Sequence, residues 1–321
     1  MAKRSTIPRY RRRRRTRSWP RRILGWIVKL VIAFFAISIL WVLVYRFVPP
    51  PITLTMIGDV FAGRGLDKDW MPISQIDRDM VRAAIAAEDS KFCQHNGFDF
   101  EAIEDAMKRN ASGGRIRGGS TISQQTAKTT FLWNGGGYAR KGVEAWFTFL
   151  TEHLWGKRRI MEVYLNNAET GIGTYGVNAA SQRYFGHDAS AMSPTEAARI
   201  AAVLPLPKKR GAIAPKGFTR RYGNTIAARI GVVGRDGLDG CIYKGTAAPA
   251  NKAPPPVTKK VRPMPGEEYE TSQPLPPIEN TVSETPPATS ELTATNEVAP
   301  VEPTTNTTTP PPPSEEPVNA L

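Results

Sequence analysis

Residues 83–99 read AAIAAEDSKFCQHNGFD, and the residue of most interest in them is the acidic Glu88. On a helix over 81–92, the apolar residues from Val81 to Phe92 form one stripe, and Glu88 lies in the middle of it. A carboxylate on a core-facing stripe is costly unless it is paired, protonated or at the edge of a cleft. Two interpretations stay open: a general acid or base with a raised pKa, or a structural residue paired with a Lys or Arg.

The N-terminal 48 residues have the pattern of a membrane anchor. Residues 1–22 contain 11 Lys or Arg and no acid, and residues 23–48 form an apolar run whose first 22 residues would span about 33 Å as a helix. The arginine run at 11–15 could bind nucleic acid, but beside a spanning helix it indicates the cytoplasmic side. We therefore expect a single-pass protein of the cytoplasmic (inner) membrane with a cytoplasmic N-terminus, an extracytoplasmic domain and no nucleic-acid partner.

The remaining 273 residues divide into a domain and a tail. Residues 245–321 contain 18 of the chain's 28 prolines and one aromatic residue, Tyr269, so we expect a disordered tail there. Residues 52–244 should form the folded domain, with a loop and at most one short strand over 52–76 and a mainly α fold after that. Helices are predicted at 81–92, 100–109, 121–133 with Ser120 as the cap, 139–155, 157–167, 174–185, 195–204 and 218–233.

The two cysteines, Cys93 and Cys241, would face an oxidising compartment in this topology. A disulfide between them stays an open alternative, although the unpaired state is favoured. No CxxC is present and the three histidines are scattered, so the sequence predicts no metal site.

A second chemical signal is GGSTISQQTAKTTFLW, residues 118–133. On a helix, Thr121, Gln124 and Lys128 share one face, with Ser120 and Gln125 beside it. Amides, hydroxyls and an ammonium group after a double glycine are typical of a site for a sugar or a polyoxyanion. A solvated helix face is the alternative.

A third signal is the sequence RKGVE, residues 140–144. Arg140 and Lys141 are placed to pair with Glu144 along one helix. Such a pair is often an ordinary surface salt bridge, worth about 0.3–0.5 kcal/mol. If this face lies opposite Glu88, however, a cleft gains two carboxylates and three cations, which suits glycosyl transfer with an anionic leaving group.

Taken in order, the blocks ED-x-x-F-x-x-H-x-G-x-D, GGSTISQQ-x-x-K, RK-x-x-E and K-x-x-I-x-E-x-YLN resemble the glycosyltransferase domain of peptidoglycan polymerases, glycosyltransferase family 51. The resemblance runs from about residue 53 to residue 235. No SxxK or KTG of a transpeptidase follows, so the chain is more similar to the monofunctional members than to penicillin-binding proteins. The resemblance implies a lysozyme-like, mainly helical fold and polymerisation of lipid II, with undecaprenyl pyrophosphate as the leaving group.

The resemblance also assigns roles to the candidate residues. Glu88 would be the general base for the acceptor sugar hydroxyl, and Glu144 would be the second carboxylate, near the pyrophosphate. The residues expected to bind substrate are Ser120, Thr121, Gln124, Gln125, Lys128, Arg140 and Lys141. Asp89 and His95 would support the loop after the base. Glu162, in the fourth block, and Glu169, just after it, are weaker site candidates for which a structural role is favoured.

Some features depart from the family or stay open. Thr129 replaces the usual Asn after the lysine of the second block, and Gly136 stands where an Arg is common, which removes one expected pyrophosphate contact. A divalent cation, Mg²⁺ or Mn²⁺, could assist at the pyrophosphate, although no ligand set is visible. Expected partners are lipid II, the growing lipid-linked glycan, the membrane and cell-wall synthesis proteins. The alternatives are a glycan-cleaving lytic transglycosylase and a non-enzymatic, membrane-tethered scaffold.

Overall fold

A computed structural model of the protein describes residues 19–112 and 118–243. Its α-helices are α1 (Trp19–Phe47), α2 (Leu54–Phe61), α3 (Arg78–Glu88), α4 (Phe100–Ala111), α5 (Ile122–Phe131), α6 (Gly137–Leu154), α7 (Lys157–Asn167), α8 (Val177–Tyr184), α9 (Pro194–Val203) and α10 (Gly217–Arg235). The mainly α prediction with one N-terminal apolar helix is confirmed. The predicted tail at 245–321 and most of the basic segment, residues 1–18, lie outside the described residues.

Two groups of helices meet at the centre of the domain. α3 packs against α9 and α10, and α5 packs against α6 and α7. Ile85 of α3, Ile160 and Tyr164 of α7, and Ile226 of α10 are all buried in one continuous core. Burial of side chains of this size contributes about 1.5–3 kcal/mol each. The end of α3 and the start of α5 are thereby held beside each other.

A small sheet is formed by β1 (Asp67–Lys68), β2 (Glu169–Gly171) and β3 (Thr174–Tyr175), in the order β1-β3-β2. β3 is parallel to β1 and antiparallel to β2. Gly173 has φ +66°, and a Cβ atom there would lie 2.2 Å from the carbonyl oxygen of Arg64, so the tight turn requires glycine. The helix predicted over 174–185 therefore begins only at Val177, because the first two residues pair in the sheet.

Three other predicted boundaries are wrong. The helix predicted over 81–92 ends at Glu88, because the Asp89 side chain accepts hydrogen bonds from His95 and from the backbone of Ile122. The loop predicted over 52–76 contains α2, which is capped by the Thr53 side chain. The cap of α5 is Thr121 rather than Ser120.

A disulfide joins Cys93 to Cys241, with 5.5 Å between their Cα atoms, so the predicted unpaired state is wrong. The bond links the loop that follows Glu88 to the segment after α10. Sequence separation concealed this contact, because the two positions are 148 residues apart along the chain.

The helix α1 is long and apolar enough to cross a membrane, and its second half packs on α6. Indole N–H groups of two tryptophans donate to it: Trp146 to Ser38 Oγ at 3.0 Å and Trp155 to the carbonyl oxygen of Val42 at 2.8 Å. Arg159 donates to the carbonyl oxygen of Tyr45 near the end of α1. The orientation of the domain is therefore fixed to this helix by directional contacts.

Candidate active site

Glu88 is the last residue of α3, and its side chain reaches α5. Its Oε2 atom accepts a hydrogen bond of 2.9 Å from Gln125 Nε2, while Oε1 is buried and has no hydrogen-bond partner in the described residues. Burial raises the pKa of Glu88, although Gln125, Arg210 and Lys128 act in the opposite direction. No Lys or Arg of the described residues forms an ion pair with Glu88, so the prediction of a paired structural residue has no support there.

Asp89 and His95 hold the loop behind Glu88. Gly97 N donates to Nδ1 of His95, so the other ring nitrogen, Nε2, carries the proton and donates to the Asp89 carboxylate at 3.0 Å. The same carboxylate accepts from the backbone N of Ile122 at 3.0 Å, at the start of α5. Asp89 and His95 thus position the loop after Glu88, and their contribution to the reaction stays a prediction.

Thr121 and Gln124 form a capping box at the start of α5. Each side chain bonds to the backbone of the other, at 3.2 and 3.0 Å, and the Thr121 hydroxyl also donates to the carbonyl oxygen of Gly97. Both side chains are buried. The two residues shape the site by fixing the start of α5, and direct contact between them and a substrate stays a prediction.

Glu144 of α6 is buried, with an exposed fraction of only 2%, so it is not part of an ordinary surface salt bridge. Arg140 donates to its Oε2 atom at 2.6 Å, and Lys141 pairs with its Oε1 atom. Lys141 also lies 3.4 Å from the hydroxyl of Ser120. Lys141, in the third block, is thus in contact with Ser120, at the start of the second block, as a shared site requires.

Lys128 completes this group from the next turn of α5. Burial lowers its pKa, whereas the charges of Glu144 and Glu88 raise it, so the ammonium group interacts with both carboxylates of the site. No carboxylate in the described part of the chain lies within 4 Å of it. Its charge is therefore incompletely compensated, which makes it suited to an anionic ligand.

Gln125 and Lys128 line a pocket of about 180 Å³ that opens between α5, α7 and the loop after α9. The opposite wall includes Glu169, a weaker site candidate from the sequence, and Tyr175, which sequence reasoning did not place in the site. Burial raises the pKa of Glu169 to about 7, although Lys208 lies 3.4 Å away. The turn between β2 and β3 brings Tyr175 to this wall, and no local pattern indicated it.

The other sequence features have structural explanations. Glu162 accepts from Ile73 N at 3.0 Å and from Arg159 at 2.6 Å, which fits the predicted structural role. Gly136 is the N-cap of α6 with φ +83°, a conformation that disfavours the arginine common at this position in the family. Thr129 uses its hydroxyl within α5, on the carbonyl oxygen of Gln125.

The described residues do not provide a ligand set for a divalent cation. No three His, Cys, Asp or Glu side chains of residues 19–112 and 118–243 come together as metal ligands. The Glu144 carboxylate is already paired with two cations.

Comparisons with known proteins identify the family of the chain. A sequence model of the transglycosylase family matches residues 55–230. The chain is 50% identical over 216 residues to the biosynthetic peptidoglycan transglycosylase of Caulobacter vibrioides, covering 67% of this chain and 94% of that protein. Its identity to the proteins of the same name from Bdellovibrio bacteriovorus and Xanthomonas oryzae pv. oryzae is 48% over 217 residues and 47% over 208 residues. These matches cover 64% and 63% of this chain, and 86% and 85% of those proteins. The predicted resemblance is confirmed, and the chain belongs to the transglycosylase family.

Proposed function

We propose that this protein is a peptidoglycan glycosyltransferase that polymerises lipid II into glycan strands, releases undecaprenyl pyrophosphate and has no transpeptidase activity. The observation that carries the proposal is the proximity of two environments. A buried carboxyl with a raised pKa, Glu88, lies beside a cationic group formed by Lys128, Arg140 and Lys141. Base catalysis and departure of an anion need these two environments together.

Glu88 acts as the general base. Its Oε1 atom, which has no partner in the described residues, accepts the proton of the acceptor 4-hydroxyl as the oxygen bonds to the donor's anomeric carbon. The bond from that carbon to the pyrophosphate breaks on the opposite face, so the α-linked donor gives a β-linked product. Gln125 keeps the carboxylate in place by its hydrogen bond to Oε2.

The cations receive the leaving group. Three cations and the single carboxylate of Glu144 leave two net positive charges. The pyrophosphate gains one negative charge when the glycosidic bond breaks, so this excess stabilises the transition state more than the ground state. Glu144 fixes the positions of Arg140 and Lys141. Because pyrophosphate departs without a proton, Glu88 is needed as a base and not as an acid.

The position of the domain also suits a lipid-linked substrate. Trp146 contacts α1 at Ser38, nine residues before the end of that helix, which corresponds to a depth of about 14 Å below its end. We place α1 across the cytoplasmic membrane with the basic N-terminal segment in the cytoplasm. The cleft then lies at the outer surface, where a lipid-linked donor can enter from the bilayer.

The experiment is to give the purified full-length protein lipid II in one reaction and preformed, uncross-linked glycan in another. The proposal predicts new glycan strands from lipid II and no shortening of the preformed glycan. Shortening would indicate a lytic enzyme, and no change in either substrate would indicate a scaffold. Both of those results contradict the proposal.

A further inference from the structure

A second pocket, of about 450 Å³, lies between the end of α1 and the start of α7 and shares no lining residue with the cleft. Arg46 and Phe47, the last two residues of α1, form one side of it. Arg159 hydrogen-bonds the carbonyl oxygens of Tyr45 and Val48, both at 2.9 Å, and so fixes α7 against the end of the helix. If α1 spans the bilayer, this pocket lies at the level of the lipid headgroups.

The charge in this pocket is unbalanced. Its lining contains four cations and one carboxylate: Arg46, Lys157, Arg158, Arg159 and Glu162. Glu162 pairs with Arg159 at 2.6 Å, and Lys157 is compensated from outside the pocket by Glu152 at 2.7 Å.

Two guanidinium groups of this pocket lack a compensating charge. Arg46 and Arg158 have no carboxylate within 4 Å in the part of the chain that the structure describes. Arg158 donates one N–H to the carbonyl oxygen of Ile242, and its guanidinium carbon lies 6.0 Å from the ring centre of Tyr243.

We propose that this pocket binds the phosphate headgroup of an anionic phospholipid from the leaflet that faces the catalytic domain, with Arg46 and Arg158 on the phosphate. Guanidinium groups bind phosphate oxygens in bidentate fashion. Phe47 and Trp155 add apolar surface to the same lining, which suits the glycerol and first acyl carbons of a lipid better than a free anion. The bound lipid would set the height of the domain above the bilayer. The proposal rests on α1 crossing the membrane and not on the reaction in the cleft.

The test uses the full-length protein in phosphatidylcholine vesicles with a trace of spin-labelled phosphatidylglycerol or spin-labelled phosphatidylcholine. Electron paramagnetic resonance measures the motionally restricted fraction of each label, and their ratio gives the selectivity. We expect Arg46→Gln with Arg158→Gln to lower the affinity for phosphatidylglycerol by about fivefold per arginine. Arg46→Gln alone, which removes a side chain with no hydrogen bond in the described residues, should give part of this loss. The basic N-terminal segment contributes equally in all variants.

The matched control is Arg229→Gln with Arg235→Gln, which removes two exposed charges from α10. It should keep the wild-type selectivity. Equal selectivity of the wild type and the Arg46/Arg158 variant would overturn the proposal. Displacement of the labelled lipid by excess inorganic phosphate would also overturn it, because the pocket would then be a soluble-anion site.

Discussion

Glu88 and Lys128 show how burial alters two opposite charges in one cleft. Burial disfavours the charged form of each side chain, so the pKa of Glu88 is raised and that of Lys128 is lowered. Each charge partly restores the ionised form of the other. The state that the proposed mechanism requires, with Glu88 deprotonated and Lys128 protonated, therefore exists over a narrower pH range than for exposed groups.

The acid side of the pH–rate profile should depend on Gln125. Its hydrogen bond lowers the pKa of Glu88, so Gln125→Leu should raise that pKa and move the acid limb of kcat/KM to higher pH. Initial rates of lipid II polymerisation across pH measure the shift. Gln94→Leu, at an exposed position, is the matched control and should leave the limb in place. A limb that stays in place in Gln125→Leu would show that Glu88 is not the titrating group.

The basic side of the profile should depend on Lys128. Because its pKa is lowered, Lys128 loses its positive charge at a lower pH than an exposed lysine does. Lys128→Arg should move the basic limb to higher pH, since a guanidinium stays protonated, even if the rate at the optimum falls. Lys209→Arg, at an exposed lysine near the cleft, is the control. An unchanged basic limb in Lys128→Arg is incompatible with the role proposed for Lys128.

At the level of elements, the site depends on the junction between α3 and α5. Glu88 ends α3, and the next residue, Asp89, accepts the backbone N–H of Ile122 at the start of α5. Thr121 adds a hydrogen bond to Gly97 in the intervening loop. These contacts come from backbone and capping groups. The distance between Glu88 and Lys128 is therefore set by the ends of α3 and α5 and not by flexible side chains alone.

The disulfide should stabilise this junction. It closes a long loop, and cross-links of this kind typically contribute about 2–4 kcal/mol to the free energy of unfolding. Cys93→Ser with Cys241→Ser should lower that free energy by a similar amount, as measured by chemical denaturation in detergent. Reductant should destabilise the wild type to the same level and leave the variant unaffected. A variant as stable as the oxidised wild type would argue against a structural role for the bond.

At the scale of the whole molecule, the anchor is part of the fold. Val42 is buried in the same core as Ile85 and Tyr164. The ring of Trp41 packs edge-on against Phe131, and its centre lies 6.3 Å from the ring centre of Phe147. A helix that served only as a tether would not share a core with the domain. The packing thus gives the cleft a defined position relative to the bilayer, which a membrane-bound substrate requires.

This packing predicts that part of α6 lies in lipid. Phe149 is 46% exposed and stacks on Trp146, which contacts α1 at Ser38. A nitroxide attached at Phe149→Cys should be more accessible to oxygen than to a water-soluble nickel reagent in vesicles, as measured by power-saturation spectroscopy. The same label at Arg229→Cys on α10 should be more accessible to the nickel reagent than to oxygen. Water-like accessibility at both positions would refute membrane contact by α6.

Sequence reasoning found the four blocks because each is local: a helix face or a short spacing defines it. It failed where long-range contacts decide the outcome. The end of α3 depends on the distant Ile122 N–H, the partner of Cys93 is 148 residues away, and Tyr175 enters the pocket wall through a turn between strands. α2 was missed because its eight residues are too few to show a clear apolar period.

Glu88→Gln in the lipid II polymerisation assay is the most direct test of the central claim. Glutamine keeps the shape of the side chain but cannot accept the proton, so glycan synthesis should fall by about 100- to 10,000-fold. The fold should persist: because the pKa of Glu88 is raised in the folded protein, its ionisation costs stability above that pKa, and Glu88→Gln should show an equal or higher Tm at neutral pH. Polymerisation at the wild-type rate by a folded Glu88→Gln protein would contradict the account.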